Sequence, residues 1–310
     1  MHKTHGPIVP RGTLRAKPPV TLTRFSLTRD VLGVHEVVGS KMSEHEPTPF
    51  TDAHAAWHAS VESARTAPYG PLSPTAMHWL SAGPQRLPDL PGVWSANAGL
   101  VTVELGENDQ VTRGGEPVSG TVELGPLTGT EGTALAWGDV QIEVAARSGG
   151  IIVRPRDPGS KDRTGYTGTA TFPPSEEWVV TARFVPAPRD SVEVSSAAGP
   201  GRTQDFTSPG TAEFTLAGQE LSLTLFGSVE GDDLRAIFAD ASGADLTFPS
   251  ARFVDVDVVD ANTVRIDFTR TTNPPCAYSA SATCPFPPPE NRLPVRVEAG
   301  ELRPGVTLAA

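Results

Sequence analysis

The chain has 310 residues, of which 25 are Lys or Arg and 36 are Asp or Glu, giving a formal net charge of −11 at pH 7. An acidic chain disfavours nucleic acid and anionic membrane surfaces as partners. The length suffices for one large domain or two small ones, and the 31 prolines and 30 glycines indicate many turns.

The first 41 residues differ from the rest in charge, with seven Lys or Arg against two acidic residues. They contain no apolar run long enough for a signal-peptide core or a membrane span. Because Met42-Ser43-Glu44 is typical of a translation start, we expect residues 1–41 to be a mis-translated or disordered leader. The expected location of the protein is the cytoplasm, without membrane contact.

Residues 42–98 are predicted to form a short helix and a segment that wraps the outside of a sheet. Thr51 and Asp52 can cap the helix and Pro68 ends it. Four apolar residues recur at helical spacing: Ala53, Trp57, Val61 and Ala64.

Three histidines in this part of the chain are candidates for chemistry. His54 and His58 lie four apart on the predicted helix, a spacing that can bind a metal. Flanking alanines favour solvated histidines, so we assign no metal ligand. For His78 a core or capping role is favoured over a catalytic one.

Residues 99–310 are predicted to form a β domain. Short alternating runs such as Leu100–Leu105 and Leu221–Leu225 recur about every ten residues and are separated by Gly, Pro, Asp and Asn. Thr169–Phe172 and Leu293–Val297 also alternate as strands do. The pattern predicts an all-β fold, a mainly antiparallel β-sandwich or barrel.

The stretch Asp267–Glu301 holds both cysteines and is rich in proline. Residues 270–291 show no strand or helix period, and a connection of that length is usually functional or disordered. Because its Cys, Tyr and Phe residues prefer burial, we predict an ordered Pro/Cys-rich loop that lies across one end of a sheet.

Six runs in the chain resemble one uncharacterised bacterial and archaeal family, domain of unknown function 1684 (DUF1684). They are NPPCAY, TCPFPPPENRLPV, EAGE, YGPLSPTAMHWL, VRPRDP and GYTGTATFPPSEEWVVTARFV. The resemblance covers roughly Phe50 to Glu301. One departure is Thr269, where the family pattern has Asn after Asp-Phe. The resemblance implies motif positions and a fold but no mechanism.

The common catalytic motifs are absent from the sequence. It has no Walker-type phosphate loop, no Gly-x-Ser-x-Gly elbow, no HExxH and no strand-placed dinucleotide fingerprint. All seven histidines lie at or before His78. A Ser-His-Asp or Cys-His site therefore has no positive sign in the sequence.

Cys276 and Cys284 leave four alternatives open. A disulfide would close a short loop, although a reducing compartment works against it. Zinc ligation lacks the usual spacing and a nearby histidine. The pair can also be buried structural thiols, or Cys276 can be a reactive thiol that a cation such as Arg292 activates.

A set of polar residues at the loop and on one strand is the predicted site. The proposed ligand-binding residues are Arg154, Arg156, Asn273, Asn291 and Arg292, which suit a small anion. Glu290 or Asp157 would be the general acid or base. The alternative is that these charged pairs only fix the loop to the sheet.

Two classes of function stay open from the sequence. The first is a small-molecule site for an anionic ligand, binding or enzymatic, under the 270–292 loop. The second is a non-catalytic β module that binds a protein partner. Whether the protein is an enzyme, and which cofactor or oligomeric state it has, does not follow from the residues.

Overall fold

The computed structural model describes residues 49–129, 131–231 and 233–308. The predicted leader, residues 1–41, lies outside these ranges. Among the helices described there, none is long and apolar enough to cross a membrane.

The regular elements of the described ranges are mainly strands. The helices are α1 (Pro49–Arg65) and α2 (Lys161–Thr164). The first nine strands are β1 (His78–Trp79), β2 (Val93–Asn97), β3 (Leu100–Leu105), β4 (Val111–Arg113), β5 (Glu116–Val118), β6 (Gly120–Leu124), β7 (Gly132–Trp137), β8 (Val140–Arg147) and β9 (Gly150–Arg156). The remaining strands are β10 (Val179–Ser195), β11 (Thr203–Leu216), β12 (Gln219–Phe226), β13 (Arg235–Phe238), β14 (Arg252–Asp260) and β15 (Thr263–Asp267).

Strands β1 to β9 form two antiparallel sheets around one core. The larger sheet has the order β1-β9-β8-β7-β4-β5, and the smaller has the order β2-β3-β6. Trp94 and Val103 from the smaller sheet and Ile142 and Val153 from the larger are fully buried in the same cluster. The alternation of apolar and polar residues places one face of each sheet in this core.

Strands β10 to β15 form a closed antiparallel barrel in sequence order, and β10 pairs with β15 to close it. Its core includes Leu223, Leu225, Phe238 and Ile266. The all-β, mainly antiparallel fold is confirmed, and both architectures considered from the sequence occur in the same chain.

Two predicted strands are not strands of any sheet. Thr169–Phe172 has only a single bridge, between Thr171 and Glu301. In Leu293–Val297 the apolar residues alternate into the barrel core, but only isolated backbone bonds connect this segment to residues 239–241. Pro294 has no N–H to donate to a ladder. The segment therefore keeps the apolar alternation of a strand but does not join a sheet.

Helix α1 is found near its predicted position, but the face that it buries is different. His54 and Arg65 are buried, whereas Ala53 and Ala64 are exposed. The prediction that the histidines are solvated is therefore wrong for His54, whose Nε2 lies 2.9 Å from the carbonyl oxygen of Thr269. Partners elsewhere in the chain, and not the apolar spacing, determine the buried face.

The boundary predicted between residues 98 and 99 stays a prediction. Strand β1 pairs with β9, and β2 pairs with β3. Both strands come from the predicted wrapping segment. The remainder of that segment forms turns that join helix α1 to these sheets.

Candidate functional site

Two arginines on β9 share one carboxylate on the neighbouring strand. Arg154 and Arg156 lie two residues apart and so project from the same face, and Glu143 on β8 is the register partner of Arg154. Glu143 Oε2 is 2.8 Å from Arg156 Nε and 3.6 Å from Arg154 Nε. Glu143 also contacts Arg147 at 3.4 Å. One carboxylate cannot neutralise both β9 guanidinium groups.

Arg156 is occupied by structural contacts. Besides Glu143, its Nη1 donates to the carbonyl oxygens of Tyr69 and Gly70, each at 3.0 Å. These bonds attach the turn after helix α1 to the sheet. All the contacts that Arg156 makes in the described chain fit the alternative in which charged pairs fix the polypeptide to the sheet.

Arg154 is buried without equivalent partners. It is 7% exposed, and its Nε and Nη2 atoms have no hydrogen-bond partner in the described residues. Burial lowers the pKa of Arg154 and Glu143 opposes that effect; an arginine stays charged in proteins. A buried cation with unused donors is costly unless an anion completes it.

Two adjoining pockets open at this place. The first, of about 290 Å³, is lined by Tyr69, Gly70, Pro71, Pro74, Arg154, Arg156 and Pro275. The second, of about 310 Å³, shares Pro71 and Pro275 with the first and has Arg65, Arg235, Arg270, Asn273 and Tyr278 among its lining residues. Both therefore lie against the start of the Pro/Cys-rich segment.

Asn273 is a buried wall residue of the second pocket. Its Nδ2 donates to the carbonyl oxygen of Leu302 at 2.7 Å and to Tyr278 Oη at 3.2 Å. Its Oδ1 is buried without a hydrogen-bond partner in the described chain. The side chain is thus held by its amide nitrogen, and its oxygen is left as a buried acceptor without a partner.

Behind Asn273 lies a fully buried carboxylate, Glu301. Arg65 Nη2 donates to both of its oxygens, at 2.7 and 2.9 Å, and the backbone N–H of Asn273 donates to Oε2 at 2.7 Å. Burial alone raises the pKa of Glu301, but His58, Arg65 and the Asn273 N–H together outweigh it and hold the pKa below its ordinary value.

The backbone before Glu301 admits only glycine. Gly300 has φ +75°, and a Cβ there would lie 2.6 Å from both the Cβ and the carbonyl oxygen of Thr271. This close approach allows Glu301 N to donate to the Thr271 carbonyl at 2.9 Å. The Ala-Gly-Glu part of the EAGE run is accordingly a turn that delivers a carboxylate to the interior.

Two tyrosines extend the network around Arg65. Tyr166 Oη accepts from Arg65 Nη1 at 3.0 Å and donates to Glu62 at 2.8 Å. The Arg65 guanidinium carbon lies 4.6 Å from the centre of the Tyr278 ring, a cation–π distance. Burial raises the pKa of Tyr278, and Glu301 raises it further. Burial raises the pKa of Tyr166 as well, so both tyrosines act as neutral hydrogen-bonding groups.

His58, Glu62 and Glu301 place three potential metal-ligand atoms within 4.8 Å of one another. These residue types can bind a divalent cation. Arg65, however, forms ion pairs with both carboxylates. A guanidinium therefore already supplies the positive charge at this position, and we assign the cluster to the buried network.

Cys276 and Cys284 are free thiols that lie side by side. The N–H of Cys276 donates to Cys284 Sγ at 3.2 Å. The Cys276 thiol lowers the pKa of Cys284 most, and the Cys276 N–H and the charge of Arg154 lower it further. Burial opposes these effects. The cation that acts on Cys284 is Arg154. The sequence suggested Arg292 beside Cys276, whose own pKa the Cys284 thiol and burial raise.

The remaining loop residues of the predicted site lie elsewhere. Asn291 is fully buried and bonds the backbone of residues 224 and 237 through its amide, at 2.7 to 2.9 Å. Glu290 lies 3.9 Å from Arg189, and Arg292 is exposed. None of the three lines the two pockets.

Asp157 and His78 also lie outside the pocket linings. Asp157 Oδ1 accepts from the N–H of Gly159 at 2.7 Å, and its own N–H donates to the carbonyl oxygen of Ser73. Asp157 thus shapes the turn after β9. His78 is the first residue of β1, and burial lowers its pKa.

The sequence-based prediction missed Arg65, Glu143, Tyr278 and Glu301. Two of these lie in runs that were recognised: Tyr278 in NPPCAY and Glu301 in EAGE. Arg65 falls on the same helical face as His54, His58 and Glu62, since all are three or four residues apart. A polar stripe on an otherwise alanine-rich helix was the available signal.

The fold and the site define an antiparallel β protein with a cationic pocket beside a buried charge network. Residues 164–302, less than half of the chain, match the family model described as "Protein of unknown function (DUF1684)". This match confirms the resemblance to DUF1684 over residues 164–302.

A solved structure is similar to part of the chain. It is the solution NMR structure of the uncharacterized protein from gene locus rrnAC0354 of Haloarcula marismortui, with 28% identity and a TM-score of 0.38. The match covers 45% of this chain and 78% of that one. No curated protein matches.

Proposed function

We propose that the protein binds a small organic anion in the two adjoining pockets beneath residues 270–278. The observation that carries the proposal is Arg154, a buried guanidinium with unused donors in the wall of the first pocket. Arginine suits carboxylate and phosphate groups because its donors match their paired oxygens.

The second pocket defines the other end of the ligand. Arg270 and Arg235 line it, and the unpartnered Oδ1 of Asn273 belongs to one of its buried wall residues. We expect a ligand with a carboxylate or phosphate at Arg154 and a hydroxyl or amino donor near Asn273. Pocket volumes of about 300 Å³ fit the small end of ligand sites.

Binding has more support than catalysis. Glu290 and Asp157, the proposed acid and base, are both absent from the linings of the two pockets. A general acid or base has to reach the reacting group within hydrogen-bonding distance. We place this binding function in the cytoplasm, where a reducing environment keeps adjacent thiols such as Cys276 and Cys284 unbridged.

The alternative, a module that binds a protein partner, has less support. It calls for a contiguous apolar surface. The exposed large apolar side chains of the described residues are mostly far apart in the chain: Tyr69, Trp137, Val229, Val258, Val259 and Leu308.

The test is a thermal-shift and calorimetry series on the full chain with phosphate, sulfate, malonate and citrate as probes. A bound anion raises Tm because it stabilises only the folded state. Arg154→Gln should weaken binding tenfold or more, since a charge-assisted bond contributes roughly 1.5–3 kcal/mol.

Arg86→Gln is the matched control, because it removes one positive charge from an exposed residue. This variant should bind the same anion as the wild type does. Equal binding by the wild type and Arg154→Gln would contradict the proposal, as would the absence of any shift with all four probes.

A further inference from the structure

The two cysteines are placed for chemistry with each other. Their loop folds so that the backbone N–H of Cys276 donates to Cys284 Sγ at 3.2 Å. No bridge joins them. Cys284 is 6% exposed, whereas Cys276 is half-buried and gives the pair an opening to solvent.

The surroundings favour a negative charge on Cys284. Cys284 Sγ accepts from the Cys276 N–H at 3.2 Å, and the Cys276 thiol, that N–H and the charge of Arg154 lower the pKa of Cys284. The Nε and Nη2 atoms of Arg154 have no hydrogen-bond partner in the described residues. A thiolate beside a cation and a hydrogen-bond donor is the reactive form of cysteine.

The position of Cys276 also provides a route for a small reagent. Pro275, its neighbour in the chain, lines both pockets. Neither cysteine is among the lining residues, so a small reagent such as hydrogen peroxide reaches the pair through the exposed part of Cys276. The chemistry of the pair needs no bound anion.

We propose that Cys276 and Cys284 are a redox-active pair, which a hydroperoxide converts into an intramolecular disulfide. This activity goes beyond anion binding and does not depend on it. It also gives a chemical role to the part of the loop that carries the cysteines.

The reaction balances in two steps. The Cys284 thiolate attacks the terminal oxygen of the hydroperoxide, the O–O bond breaks, and the leaving oxygen takes a proton to depart as water or an alcohol. Cys284 is then a sulfenic acid. The Cys276 sulfur attacks it, the S–O bond breaks, and water leaves with the Cys276 proton.

The test uses the full chain, fully reduced and then exposed to stoichiometric hydrogen peroxide. Wild type should lose two hydrogens in intact mass, lose both thiols in a denaturing thiol assay, and regain them with dithiothreitol. Proteolysis without reductant should yield a linked fragment with both cysteines.

Single variants separate the two roles. Cys276→Ser should stop at a Cys284 sulfenic acid, which dimedone traps, because the resolving thiol is missing. Cys284→Ser should react with peroxide much more slowly. The opposite order, or two free thiols in peroxide-treated wild type, would overturn the proposal.

Arg154 is the positioning residue in this scheme. Arg154→Gln should slow the oxidation about threefold or more at pH 7 and move the pH midpoint of the reaction upward, while Arg86→Gln should do neither. If Arg154→Gln loses anion binding but is oxidised at the wild-type rate, only the redox role of Arg154 is refuted. Loss of disulfide formation in wild type refutes the thiol chemistry without touching anion binding.

Discussion

Arg65 Nη2 holds both carboxylate oxygens of Glu301, at 2.7 and 2.9 Å, although the two residues are 236 positions apart. The pair joins the end of helix α1 to the C-terminal segment behind the candidate pocket. Asn273 is bonded to the same carboxylate through its N–H. The wall of the pocket is therefore fixed by a charge pair that bridges most of the chain.

Removal of the Glu301 charge should destabilise the fold strongly. Glu301→Gln leaves the buried Arg65 guanidinium without its main partner, and breaking one side of a buried pair costs about 3–5 kcal/mol. Urea unfolding at pH 7 measures the change. Glu298→Gln, at an exposed ion pair with Arg296, should change the stability by less than about 1 kcal/mol; equal losses would contradict the buried-pair assignment.

Stability should fall on mild acidification because of His54. Burial lowers the pKa of His54 foremost, and His58 and Arg270 contribute, while the Thr269 carbonyl and Asp267 oppose. A folded-state pKa below the ordinary 6.5 means that the neutral form is favoured by folding. The contribution is therefore present above pH 6.5 and is lost as the pH falls below it.

The measurement compares wild type with His54→Gln between pH 8 and pH 5. Glutamine can still donate to the Thr269 carbonyl but does not titrate. The stability of the His54→Gln variant should therefore decline less over this interval than that of the wild type. Parallel curves for the two proteins would show that His54 is not held in its neutral form.

Asn291 should act on stability and not on ligand binding. Asn291→Ala leaves buried groups of residues 224 and 237 without partners, which costs about 3 kcal/mol. Calorimetry below the melting range should then show unchanged anion affinity. Asn262→Ala, at an exposed position, is the control for stability. A loss of affinity without a loss of stability would restore the ligand role that the sequence suggested.

Gly300→Ala should destabilise the protein by about 3 kcal/mol. The new Cβ meets backbone at 2.6 Å and the residue has φ +75°, so both strain and a clash arise. Gly83→Ala is a matched control, because nothing lies within 4 Å of its added Cβ. Chemical denaturation of both variants gives the comparison; a mild effect at Gly300 would mean that this turn can relax.

Local patterns in the sequence predicted the strands well because they are short-range properties. In Leu100–Leu105 and Leu221–Leu225 the alternation itself reflects one buried face, and turn residues mark the ends. The same argument failed for Leu293–Val297. Its apolar side chains do alternate, but they pack into the barrel core and the segment does not pair as a strand. Period alone cannot distinguish a strand from an extended segment that packs without a ladder.

The candidate site was predictable only in part. Arg154, Arg156 and Asn273 were identified as polar residues near one another, and they line the two pockets. Glu290 and Arg292 were grouped with them because they belong to the same loop. The loop is long enough for its two ends to lie at different sites, and no local rule indicates that.

The sequence by itself determined the β class, the approximate strands and the segment that carries the cysteines, since alternation and proline placement act over a few residues. Only the tertiary structure decided which charges are paired. Arg65 finds Glu301, Arg156 is engaged by backbone carbonyls, and Arg154 keeps unused donors. Such pairing depends on the distances in space between segments that are far apart in the chain. Because the charges are buried, each one that stays unpaired costs folding free energy.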